Sequence, residues 1–152
     1  MTVDPAGSGT ASDDTDTSPY TAGTPVSISA VAEEGYVFFN WTAPAGTFDD
    51  AGSYSTTFTM PGEDVAVTAN FLLIDYYVSL SVNPVAAGTT SGDGTYHVGD
   101  AVQITANASG GYTFVNWTDD DNSNAEVSTN STYDFIMPAA NVNYTANFNA
   151  TP

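Results

Sequence analysis

The sequence contains no lysine, no arginine and no cysteine, and only one histidine, His97. Each absence removes a class of function. A nucleic-acid groove needs cationic side chains to neutralise phosphates and release counterions. Attraction to anionic lipid needs them as well. Without cysteine there is neither a disulfide framework nor a thiolate metal site. Without lysine there is no Schiff-base nucleophile and no Lys–Asn isopeptide cross-link. Long apolar runs are missing too. The longest, Phe71-Leu72-Leu73-Ile74, stops at Asp75, far short of the roughly 20 residues that a membrane-spanning helix needs. The opening Met1-Thr2-Val3-Asp4 has neither the basic nor the apolar stretch of a signal peptide. Nucleic-acid binding and membrane insertion are therefore not expected.

What is present is acid. Eighteen Asp and Glu residues give a formal charge of −18 at pH 7. Such a charge favours solubility and costs stability by self-repulsion, which salt screens. With 41% hydrophobic and 12% aromatic residues, the chain still carries enough apolar material for a packed core, so a disordered chain is not expected. The lack of Lys and Arg also removes every trypsin site, which suits an exposed, extracellular protein.

The chain repeats itself, the pattern of a tandem array. Val26-Ser27-Ile28-Ser29-Ala30 leads into Gly35-Tyr36-Val37-Phe38-Phe39-Asn40-Trp41-Thr42. Val102-Gln103-Ile104-Thr105-Ala106 leads likewise into Gly111-Tyr112-Thr113-Phe114-Val115-Asn116-Trp117-Thr118, 76 residues later. Phe58-Thr59-Met60-Pro61 then matches Phe135-Ile136-Met137-Pro138, and Val65-Ala66-Val67-Thr68-Ala69-Asn70-Phe71 matches Val142-Asn143-Tyr144-Thr145-Ala146-Asn147-Phe148, at an offset of 77. Upstream, Val3-Asp4-Pro5 with Gly9-Thr10 corresponds to Val82-Asn83-Pro84 with Gly88-Thr89. Two modules are read from this, residues 1–73 and 74–152, joined by the short apolar stretch Leu72–Tyr77. A linker without a Gly/Ser tract predicts a fixed arrangement.

Apolar residues alternate with polar ones in Val26/Ile28/Ala30, Val102/Ile104/Ala106, Val65/Val67/Ala69/Phe71 and Val78/Leu80/Val82, the period of half-buried strands. The expected fold class is all-β, with about five short strands per module and at most a single helical turn near Pro61–Asp64 or Pro138–Asn141. The first module starts late: about five residues of its leading strand have no counterpart ahead of Thr2-Val3.

The concatenated pattern V-x-I-x-A, G-Y-x-F-x-N-W, F-x-M-P and V-x-V-x-A-N-F resembles the divergent internalin-type B-repeat, or bacterial repeat domain, in both copies. The resemblance implies small, mostly β modules, β-grasp-like or sandwich-like, in a secreted or cell-wall protein. They would serve as stalk, spacer or adhesion segments, with no catalytic residues. The complete lack of Lys and Arg departs from that family's usual composition.

The residues expected to hold the cores are Tyr36, Phe38, Trp41, Met60 and Phe71 in the first module. Tyr112, Phe114, Trp117, Met137 and Phe148 are their counterparts in the second. An exposed Trp41 and Trp117 would instead offer a stacking platform for sugar rings. Asp119-Asp120-Asp121-Asn122-Ser123-Asn124-Ala125-Glu126 places oxygen donors at alternate positions, so Asp119, Asp121, Ser123 and Glu126 are candidates for weak calcium binding. Asn124 and Asn130 occupy the places where an EF-hand needs Gly and Glu. Asp49-Asp50 and the Asp13/Asp14/Asp16 cluster are thinner versions, and solvated turns are the simpler reading of all three. His97 is expected in a surface turn beside Gly99. Paired carboxylates for glycoside hydrolysis need a cleft, which two small β modules seldom build, so no enzyme activity and no cofactor are expected. Asn-x-Ser/Thr occurs at Asn40, Asn107, Asn116, Asn130, Asn143 and Asn149, frequent by chance in this composition. The function expected is a non-catalytic surface spacer partnered by neighbouring domains. Two alternatives stand beside it: a filament subunit that completes its leading strand from another copy, and a glycan- or host-protein-binding module.

Overall fold

The computed structural model describes residues 1–15 and 18–152, so Asp16 of the first acidic cluster lies outside the described residues. The chain divides into two units, Met1–Ile74 and Asp75–Pro152. Both are built of strands and turns, with no helix among the described residues. The stretches at Pro61–Asp64 and Pro138–Asn141 are bends. Four residues cannot repay the cost of nucleating a helical turn unless the tertiary structure holds it.

In the first unit the strands are β1 (Thr2–Asp4), β2 (Gly9–Asp13), β3 (Pro25–Ala32), β4 (Tyr36–Thr42), β5 (Thr47–Phe48), β6 (Ser55–Thr59) and β7 (Thr68–Leu73). They form a sheet of order β1-β7-β4 and a second of order β2-β3-β6-β5. The two sheets share one core. Trp41, Ala69 and Phe71 of the first meet Val26, Ile28, Ala30 and Phe58 of the second. The alternation read from sequence produces this directly. In β3 the inward Val26, Ile28 and Ala30 are 3%, 1% and 4% exposed, while Ser27 between them faces water.

The second unit runs β8 (Tyr76–Asn83), β9 (Gly88–Ser91), β10 (Gly94–Tyr96), β11 (Ala101–Ala108), β12 (Tyr112–Asp119), β13 (Ala125–Ser128), β14 (Thr132–Ile136) and β15 (Val142–Ala150). Its sheets have the orders β10-β8-β15-β12-β13 and β14-β11-β9. Each unit thus has more strands than five. The additions are short pieces such as the two residues of β5 and the three of β10. Segments this brief carry no readable period. They exist because a partner strand offers its edge, as when β5 sets Phe48 opposite Phe58.

In both units the last long strand lies between an antiparallel neighbour and the parallel leading strand. β7 pairs antiparallel with β4, and β15 with β12. The leading strands differ in reach. β8 pairs with β15 over six residues, Val78↔Val142 to Asn83↔Asn147. β1 pairs with β7 over only three, Thr2↔Thr68 to Asp4↔Asn70. Only Ile74 and Asp75 separate β7 from β8, so most of the stretch read as a linker is strand.

Glycine is required where the leading segment turns under each sandwich. A Cβ at Gly9 would lie 2.6 Å from the Phe71 ring and 2.5 Å from the Val31 carbonyl oxygen. At Gly88 it would lie 2.5 Å from both the Phe148 ring and the Asn107 carbonyl oxygen. The Gly-Thr pair in each copy is therefore set by the close approach of backbone to a core phenylalanine.

Candidate functional site

The two tryptophans, first candidates for a binding surface, lie inside. Trp41 is 2% exposed and Trp117 0%. Each indole N–H donates to a backbone carbonyl, of Ser53 at 2.9 Å for Trp41 and of Ser131 at 3.4 Å for Trp117. The polar handle of a buried indole is thereby satisfied. Around each stands the same aromatic set. Phe38 lies 5.5 Å from Trp41 and meets Phe71 edge-on at 5.7 Å. Phe114 lies 5.9 Å from Trp117 and meets Phe148 edge-on at 5.6 Å. Tyr36 and Tyr112 pack against the two cores from the rim. Met137 is 1% exposed, whereas Met60 is only partly buried. Sugar stacking through these indoles has no ring face to use.

The Asn preceding each Trp has a role that the Asn-x-Thr pattern did not disclose. The ladder between β4 and β7 shifts register between Phe38 and Asn40, and that between β12 and β15 shifts between Phe114 and Asn116. At each bulge the cross-strand Asn closes the irregularity. Asn70 Nδ2 donates to Asn40 Oδ1 at 2.8 Å and to Thr42 Oγ1 at 3.1 Å. Asn147 Nδ2 donates to Asn116 Oδ1 at 3.0 Å and to Thr118 Oγ1 at 3.1 Å. A bulge leaves a residue out of the ladder, and the amide side chains supply the bonds that the backbone gives up. The signal was in the sequence: N-W-T in one block and A-N-F in the next recur together in both copies.

The acidic loops organise themselves. Asp13 Oδ1, Asp50 Oδ1 and Asp119 Oδ1 each accept the amide two residues ahead, from Thr15, Gly52 and Asp121, at 3.0, 2.9 and 3.0 Å. This is the local turn that Asp makes with its own backbone. The calcium candidates are spread over separate partners. Asp121 Oδ2 accepts from Asn143 and Glu126 Oε2 from Asn116, at 2.8 and 2.7 Å. Ser123 sits in the left-handed region at φ 54°. Among the described residues no three His, Cys, Asp or Glu side chains come together in a metal-holding group, so the structure does not gather Asp119, Asp121 and Glu126 into one. The alternation of oxygen donors along the chain does not converge, because Asp119 is held by its own turn and Asp121 and Glu126 by asparagines of neighbouring strands.

His97 lies in a turn, its backbone N–H donating to Asp100 Oδ2 at 2.8 Å and its Nε2 lying 3.1 Å from Asp75 Oδ1. One tyrosine is perturbed. Tyr144, on β15, has its phenol pushed above the ordinary value, first by burial and then by Tyr133 and Asp119 nearby. It belongs to a cluster in which Tyr133 stacks on Phe135 at 5.6 Å and Phe135 meets Tyr144 edge-on at 5.5 Å. Ser8 is the one buried polar residue among those described, and its hydroxyl donates to the Pro5 carbonyl at 2.7 Å.

A sandwich written twice, with its large aromatic residues turned inward and its acids engaged in their own turns, defines a tandem β-repeat module. The chain belongs to the divergent InlB B-repeat domain family, whose model matches it twice, over residues 1–75 and 78–152. No curated protein matches the chain.

Proposed function

We propose that these two repeats form a non-catalytic structural segment of a bacterial surface protein, a spacer that holds neighbouring domains apart in an extracellular setting. The observation that carries this reading is the placement of the aromatic residues. Trp41, Trp117, Phe71 and Phe148, the residues best suited to grip a ligand, are 2%, 0%, 3% and 4% exposed. Their area goes into holding each repeat together. The net charge of −18 supports a hydrated outer surface. The test is NMR relaxation on the intact chain. A spacer gives one shared rotational correlation time for both repeats; separate values, each that of a free module, would defeat the reading. The same samples with and without EDTA test the ion-free state proposed here. Unchanged amide shifts at Asp119–Glu126 support it, and shifts restored by calcium overturn it.

A further inference from the structure

The outward faces of the two repeats differ at one place. In the first repeat Phe38 points into the core, against Trp41 and Phe71. Strand alternation therefore turns its neighbours Val37 and Phe39 outward, and Leu72, beside Phe71, turns outward with them. Val37 and Leu72 are Cα partners across the β4–β7 ladder, and Phe39 is the next outward residue along β4. Val37, Phe39 and Leu72 are 48%, 55% and 50% exposed. One end of this patch is closed by the bond from Asn70 to Asn40. At the other end stands the turn at residues 33–35. It is tied to the strands by the Tyr36 N–H, which donates to the Glu33 carbonyl at 3.0 Å, and by the Ile74 N–H, which donates to the Gly35 carbonyl at 2.8 Å. Glu33 and Glu34 are both exposed.

The second repeat keeps the fold there and changes the surface. Thr113 and Asn149 are the matched Cα partners, and the Thr113 hydroxyl donates to the Asn149 carbonyl at 3.4 Å. Val115, 38% exposed, stands in place of the Phe39 ring, and Ser109-Gly110 stands in place of Glu33-Glu34. The inward residues between these positions do not change: Phe38, Trp41 and Phe71 recur as Phe114, Trp117 and Phe148. Packing therefore does not call for the three apolar side chains, because the same core forms in the second repeat with Thr113 and Asn149 outside it. Apolar area and acid are brought together on one repeat only. A contiguous apolar patch rimmed by charged residues has the make-up of a protein-docking surface.

We propose that Val37, Phe39 and Leu72 form a docking surface for a basic segment of another protein, one that carries an aliphatic side chain next to arginine or lysine. Charge selects this occupant. The aliphatic group covers Val37 and Leu72, while the cation takes the face of the Phe39 ring and the carboxylates of Glu33 and Glu34. A second copy of this chain fits poorly. It brings no Lys or Arg, and it sets a formal charge of −18 against the same charge, which repels on approach. The same field draws a basic partner in and speeds the encounter. The surface is independent of the spacer reading, since none of the buried aromatic residues takes part in it.

The experiment uses the full chain with the capped peptide Arg-Leu-Arg-Leu-Arg at about 1 mM, the range for a short ligand. The capped peptide Arg-Ser-Arg-Ser-Arg is the charge-matched control. Methyl and aromatic NMR signals are read at Val37, Leu72 and Phe39, with Val115 in the second repeat as the internal reference. The leucine peptide should shift the first three and leave Val115 in place, and the serine peptide should bind about tenfold more weakly. Phe39→Val and Leu72→Asn carry the second repeat's residues onto this surface. Both positions are half exposed, so the fold is kept, and each change should weaken binding by about three- to tenfold. Glu33→Gln together with Glu34→Gln should weaken it by about threefold and lessen its salt dependence. No shift at the patch, equal shifts at Val115, equal binding of the serine peptide, or binding unchanged by Phe39→Val overturns the proposal. Light scattering on the peptide-free chain reads the competing occupant: self-association abolished by Phe39→Val would assign the surface to a second copy and overturn the basic partner.

Discussion

The two repeats share a sandwich, a buried tryptophan and an asparagine clasp, yet they finish their cores differently. The second is sealed by β8, with Val78 at 3% exposure over Met137 at 1%. The first has three residues of β1 in that role, and its Met60 and Val65 are left partly open. In the first, Phe48 packs on Phe58 at 4.8 Å, and Phe58 is 1% exposed. The second instead gathers Tyr133, Phe135 and Tyr144. The comparison teaches that the tryptophan-centred half of the fold is the part the two repeats share, while the aromatic residues packed around it differ. In the first repeat the apolar alternation of β3, β4 and β7 encloses the Trp41 indole.

The sharpest way to break this picture is to remove an indole. Trp117→Ala should cost the second repeat about 3–5 kcal/mol, and Trp41→Ala a similar amount in the first, read as loss of cooperative melting in that repeat alone. An unchanged melting temperature would mean that the tryptophan does not organise its core. A smaller effect is expected from Val78→Ala, which thins the cover that β8 lays over the second core. It should cost about 2 kcal/mol, raise solvent access at Met137, and leave Trp117 emission blue-shifted. If Trp117 became exposed at the same time, the burial of the indole would depend on the leading strand.

The smallest effect distinguishes the repeats by pH. Tyr144 is held above its ordinary value of 10.0, chiefly by burial. Its neutral form is thus favoured in the folded state. The corresponding stability is fully present below pH 10 and is lost as pH rises above 10 through the raised folded value. The first repeat has Val67 at that position and lacks this term. Tyr144→Phe should therefore flatten the alkaline decline of the second repeat's melting temperature and leave the first unchanged. An equally steep decline in the variant would remove Tyr144 as its source.

Much of the fold was legible in the chain. Alternation in Val26/Ile28/Ala30 and in Val102/Ile104/Ala106 named the inward faces, and the recurrence of G-Y-x-F-x-N-W placed both tryptophans at matching positions. The short strands β5, β10 and β13 were not legible, because pieces of two to four residues take their conformation from the edge they meet. The acidic run Asp119–Glu126 read as a candidate calcium loop; in the structure Asp119 accepts from its own turn, while Asp121 and Glu126 accept from Asn143 and Asn116 of neighbouring strands. The asparagine clasp was half legible. Asn40 and Asn70 recur as Asn116 and Asn147, but nothing in sequence told that a register shift would bring each pair within hydrogen-bond reach.

The sequence by itself determined that this protein is a β repeat written twice, acidic throughout and without the cations or thiols that many other functions require. Period, composition and duplication are local properties of a chain, and they survive being read one residue at a time. Only the tertiary structure decided which strand covers which part of each sandwich. Whether Met60 or Met137 is covered depends on a strand that arrives from the other end of the repeat, and the burial of one segment by another is set by packing in space, which no local pattern records.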